Sequence, residues 1–149
     1  VASPSAHALE HSLEVQLPFL QAALGDVPVV ALAVGDASPA EVAGVLDALW
    51  DGPGTLVVVS SDLSHYLPYA EAQAADEATV AAVLALAGPL GHAQACGATP
   101  VNGLLVAARR HGLVPRLVGL CNSGDTAGDR RRVVGYATVG FWPDAGATP

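Results

Sequence analysis

Apolar positions fall along the chain in two kinds of run, helical stripes and short continuous blocks. Within residues 8–24, Leu13, Leu17, Leu20 and Leu24 stand at i, i+4, i+7 and i+11, one face of a helix. Pro18 lies inside that stripe. It lacks an N–H and clashes with the carbonyl four residues back, so the pattern predicts a kink or two short helices. Gly25 is a stop signal. Val27 to Val34 is a continuous Val/Ala/Leu block, read as a strand buried on both faces. Ser38-Pro39-Ala40-Glu41 combines a cap, a first-turn proline and a capping-box acid, and predicts a helix to about Leu49 or Trp50. Asp51-Gly52-Pro53-Gly54 is a turn.

A second apolar block, Thr55 to Ser60, predicts a strand that runs into the polar loop Ser60-Ser61-Asp62-Leu63-Ser64-His65-Tyr66. A third helix spans about Tyr69 to Leu86, with Ala75, Val80 and Val83 inward, and ends at Gly88-Pro89. Thr99-Pro100 opens a fourth helix that carries Leu104 and Leu105 and stops at Gly112. Arg116 to Leu120 reads as a strand, Asn122 to Asp125 as a polar turn, and Val133 to Phe141 as the last strand. The tail from Pro143 to Pro149 is expected to fray. Helices alternating with apolar strands predict an α/β domain with a mainly parallel or mixed sheet covered on both faces.

Composition narrows the function classes. At 149 residues the chain suits a single domain, and 52% hydrophobic against 13% charged residues exclude disorder. No apolar run reaches the ~18–20 residues that span a bilayer, and no secretory leader pattern opens the chain. The chain begins with Val and contains no Met, so it is expected to lack an N-terminal segment. A net charge of −8 speaks against nucleic-acid and anionic-membrane binding. All six basic residues are arginines. The run Arg130-Arg131-Arg132 reads as a solvated turn before a strand, with an anion patch as the alternative. Two cysteines make no disulfide framework, which predicts a reduced, cytoplasmic setting. Neither a dinucleotide fingerprint nor a Walker loop occurs.

Three segments could carry chemistry. His11, between Glu10 and Ser12, is read on the first helix, as a metal ligand or as a surface or half-buried helix histidine. Asp62 and His65 stand three apart in a loop after a Val-rich block. Asp62 either orients His65 for acid/base work or caps a turn. Cys96 precedes a helix, where N–H groups favour a thiolate, so it is a nucleophile, a soft metal ligand or a small buried hydrophobe. Cys121 reads as a core residue, and His7, His92 and His111 as surface residues. A serine-hydrolase reading of Ser60, Ser61 and Ser64 lacks the G-x-S-x-G elbow. The expectation is that His11, His65 and Cys96 meet in one cleft at the end of the sheet.

Glu10-His11-Ser12-Leu13-Glu14-Val15-Gln16-Leu17-Pro18-Phe19-Leu20, Ser60-Ser61-Asp62-Leu63-Ser64-His65, Cys96-Gly97, Asn122-Ser123-Gly124-Asp125 and Val134-Gly135-Tyr136-Ala137 follow one another in register. Together they resemble the Memo family, also called AmmeMemoRadiSam system protein B. The resemblance implies a three-layer α/β/α, LigB-like fold related to class III extradiol dioxygenases. It implies His11 and Cys96 as metal ligands, with iron as the metal; copper suits the same donors. A third ligand would come from the upstream segment. His65 would be the acid/base residue with Asp62 beside it. The resemblance also implies AMMECR1-type and radical-SAM proteins as partners in bacteria. Two function classes follow: a dioxygenase-like metalloenzyme of redox or oxygen chemistry, and a metal- or peptide-binding module without turnover.

Overall fold

A computed structural model describes residues 3–144. The chain forms two compact units, residues 1–35 and 36–149. In the first, helix α1 (Pro4–His7) is followed by a 3-10 turn at Glu14–Gln16 and helix α2 (Leu17–Leu24). Pro18 sits in the first turn of α2, where its missing N–H leaves no intrahelical bond unmade. The expected single stripe is thus divided into two short helices around Pro18, and Gly25 closes the second at φ 74°. His11 lies on neither helix, contrary to expectation, but in the exposed link before the 3-10 turn. Residues 27–34 are not the expected doubly buried strand. They join no sheet among the described residues, and Val29, Val30 and Leu32 are exposed.

The second unit begins with helix α3 (Pro39–Leu49). The Ser38 hydroxyl accepts from the Glu41 N–H while the Glu41 carboxylate accepts from the Ser38 N–H, the capping box that the sequence announces. Among the described residues, 55–60 also pair with no strand, although their burial alternates with period two: Leu56 and Val58 face outward, and Val57 packs on the helices. The ladder is made by other segments. Strand β1 (His65–Leu67), helix α4 (Tyr69–Leu84), helix α5 (Ala98–Arg110), strand β2 (Leu113–Asn122), helix α6 (Ser123–Thr126) and strand β3 (Val133–Pro143) complete the unit.

The sheet has the order β1-β3-β2, and both pairings are antiparallel. The expected mainly parallel or mixed sheet is therefore not seen among the described residues, whose pairings are all antiparallel. The two apolar blocks best suited to a parallel sheet stay outside it, and a β2–β3 hairpin carries the pairing. Strand β2 extends past both of its expected ends and β3 past its C-terminal one, so Pro143 is ladder rather than tail. Residues 145–149 lie outside the described residues.

Two buried clusters hold the helices. Val83, Leu90, Ala95, Ala98 and Leu105 pack with Val139 and Phe141, joining α4 and α5 to β3. Val42, Ala43, Leu46 and Ala107 join α3 to α5. Gly103 permits that second approach, because a Cβ there would stand 2.2 Å from Val42 Cγ1. Val80 and Val83 are buried as the periodicity predicts. The same stripe of α4 buries Asp76, only 2% exposed.

Candidate metal centre

The loop between residue 60 and β1 is pinned from two sides. On one side, the Leu63 N–H donates to the Gly135 carbonyl, and the Gly135 N–H donates to the Ser64 carbonyl, both at 2.9 Å. The Ser64 N–H also donates to Asp76 Oδ1 at 2.9 Å. Gly135 is required here, since a Cβ would fall 1.9 Å from Asp76 Oδ2. Both partners are buried, so losing this bond would leave polar groups unsatisfied away from water.

On the other side stands Cys96. Its N–H donates to the Asp62 carbonyl at 3.1 Å, and its Sγ accepts from the Asp62 N–H at 3.1 Å. Ser61 completes the link. Its hydroxyl donates to the Asp62 carbonyl at 2.7 Å and accepts from the Gly97 N–H at 2.9 Å, 3.7 Å from Cys96 Sγ. Residue 97 must be small: a Cβ would meet the Ser60 carbonyl at 2.8 Å and Ser61 Cβ at 2.9 Å.

These contacts bring Asp62, His65 and Cys96 together, with one ligand atom from each inside 4.8 Å of the others. His65 Nε2 and Asp62 Oδ2 are 3.5 Å apart. Donor atoms on a tetrahedral ion with bonds of ~2.0–2.3 Å stand roughly 3.3–3.7 Å apart, so the pair already has a ligand-to-ligand spacing. The set also fits chemically. Imidazole, thiolate and carboxylate suit first-row transition metals, and the Asp62 N–H holds the sulfur in place. The side chains of His65 and Asp62 are one third and nearly one half exposed, and Cys96 is exposed, so the group opens to solvent.

Three of the four residues singled out from the sequence thus meet. His11 belongs to the other unit, residues 1–35. His92, read as a plain surface residue, places its Nδ1 3.2 Å from the Cys96 carbonyl. His111, read the same way, bonds Asp47 at 2.8 Å and stacks on Trp50. Cys121 is exposed, not core. It lies on β2 opposite Tyr136, and the Tyr136 phenol is pushed up by burial and then by Asp62 and Cys121. Sequence reasoning missed Ser61 as a support, because it weighed the serines only as nucleophiles. It missed Asp76 too, although an acid on the buried stripe Ala72-Asp76-Thr79-Val80-Val83 was a visible signal. The cavity of about 130 Å³ lined by Asp76, Cys121 and Asp125 does not include this donor group.

A mixed α/β unit with a Cys/His/Asp donor group at a loop–helix junction defines the chain as a candidate metal-binding α/β protein. The model of the Memo-like protein family matches residues 2–140. The chain belongs to the Memo family. It is 36% identical to the MEMO1 family protein of Methanopyrus kandleri, over 92% of this chain and 53% of that protein. It is 36% identical to the MEMO1 family protein of Aeropyrum pernix, over 89% and 52%. It is 37% identical to that of Methanococcoides burtonii, over 90% and 56%. The chain thus spans about half the length of the curated relatives it matches. Among the described residues, no helix is long and apolar enough to cross a membrane.

Proposed function

We propose that this chain carries the thiolate half of a redox metal centre in a Memo-family protein, with Cys96, His65 and Asp62 as ligands. The observation that carries the reading is the meeting of three donor atoms within 4.8 Å. Iron is the metal favoured by the resemblance to extradiol dioxygenases, and the donor set suits copper as well. Bound there, the metal would supply one-electron and oxygen chemistry. The chain's own contribution is orientation. Ser61 and the Asp62 N–H hold the sulfur, Asp76 holds the loop that bears His65, and Gly97 lets the two meet. For the whole protein we infer the three-layer LigB-like arrangement, in which the apolar segments 27–34 and 55–60 would take places in a larger sheet. A cytoplasmic role with AMMECR1-type and radical-SAM partners belongs to the same proposal.

A second reading has one observation in its favour. The 3.5 Å approach of Asp62 Oδ2 to His65 Nε2 is also that of a carboxylate orienting an acid/base histidine. On this reading His11 and Cys96 are the ligands and His65 moves protons. Metal analysis of the intact protein decides between them. Loss of metal in Cys96→Ala and His65→Ala, with metal retained in His11→Ala, is the expected result. Retention in His65→Ala with loss in His11→Ala would establish the second reading instead. Retention in Cys96→Ala would remove the metal centre and leave a binding module.

A further inference from the structure

Next to His65 the backbone does something costly. Tyr66 has φ 60°, in the left-handed region that bulky residues avoid. In a regular strand His65 and Tyr66 would point to opposite faces. The left-handed turn instead brings the two rings together, edge to face, with centroids 5.7 Å apart. The Tyr66 ring also neighbours Arg132, whose guanidinium carbon stands 4.9 Å from the ring centroid. The β1–β3 pairing puts it there, since Leu67 is opposite Val133, the residue after Arg132.

The three arginines of this run differ in their partners. Arg131 is held by Asp129 through two side-chain bonds. Arg130 stacks on Tyr69 and lies near the Asp125 carboxylate. Arg132 makes no ion pair among the described residues, and both it and Tyr66 are exposed. Stacking uses the flat face of a guanidinium and leaves its in-plane N–H groups free to bind an oxyanion in bidentate fashion. In a chain of net charge −8, a cation linked to His65 through the Tyr66 ring and without an ion pair among the described residues is a local reversal of field that attracts anions.

We propose that Tyr66 and Arg132 form the substrate wall of the candidate metal centre, and that the wall selects a small organic substrate carrying a carboxylate or phosphate group. The inference rests on the metal-centre reading for its chemistry, but its ligand can be tested without turnover. Benzoate and inorganic phosphate, titrated separately into the intact metal-loaded protein and followed by calorimetry, probe the two oxyanion sources. At least one should bind, and Arg132→Gln should weaken it by roughly tenfold or more, the size of a lost charge-assisted bond. Arg131→Gln, already paired with Asp129, should stay within about twofold. Loading with Co²⁺ should broaden the proton signals of bound benzoate, or the phosphorus signal of bound phosphate, as nearness to the metal requires. Equal weakening by Arg131→Gln and Arg132→Gln, binding of neither anion, or an unbroadened bound anion would each overturn the proposal. Should Cys96→Ala keep its metal while Arg132-dependent anion binding persists, the metal reading alone fails.

Discussion

Cys96 is oriented by a set of short contacts rather than by bulk. Its sulfur takes an N–H from Asp62, and Ser61 bonds both sides of the junction. Gly97 leaves room only for its hydrogen: any Cβ would press into the Ser60 carbonyl and Ser61 Cβ. Gly97→Ala should therefore push residues 60–62 away from Cys96. We expect a loss of ~1–3 kcal/mol in stability by urea denaturation, the usual cost of overpacking. We also expect metal affinity to fall by roughly 10–100-fold, the usual effect of disturbing the groups that orient ligands. Unchanged affinity by metal titration would show that the loop position does not matter to the centre.

At the level of elements, the short helix α6 is tied to the start of α4. The Tyr69 hydroxyl donates to Asp125 Oδ1 at 2.5 Å, and Asp125 Oδ2 accepts from the Asn122 N–H at 2.9 Å. The Asp125 carboxyl lies below the usual carboxylate range, first because of the Tyr69 bond and then because of the Asn122 N–H. The Tyr69 phenol is correspondingly pushed up, first by the same bond. A depressed carboxyl contributes stability above its unfolded pKa and loses it as pH falls through the folded value. A raised phenol contributes stability below its unfolded pKa and loses it as pH rises through the folded value. The clip should hold through neutral pH and weaken at both ends. Tm measured against pH should fall more steeply toward acid in the wild type than in Asp125→Asn, and parallel curves would exclude the clip as a source of stability.

For the whole molecule, the division at residue 35 separates one histidine from the other candidate ligands. Asp62, His65 and Cys96, together with both buried clusters, belong to residues 36–149. A fragment of residues 36–149 should therefore unfold cooperatively and bind metal with the affinity of the whole chain. Calorimetric unfolding and metal titration check the two parts of that statement. A fragment that folds but loses metal would return His11 to the ligand set.

Much of this organisation was legible from residue order alone. The Ser38 capping box, the division around Pro18, the buried stripe of α4 and the β2 and β3 segments all depend on neighbours within a few residues, which a sequence displays directly. The Asp62–His65 pair was legible for the same reason, being three positions apart. Sheet membership was not. Val27 to Val34 and Thr55 to Ser60 have ideal strand composition, yet a strand needs a partner, and hydrophobicity does not name one. The supports of the centre were hidden likewise: Ser61 reaches Cys96 across 35 positions, and Asp76 reaches Ser64 across 12. Residue order determined which groups could do chemistry and which helices form, because caps and periodicity are local physics. Tertiary structure decided the antiparallel sheet, the left-handed turn at Tyr66 and the meeting of Cys96 with His65, because those depend on contacts between segments far apart in the chain.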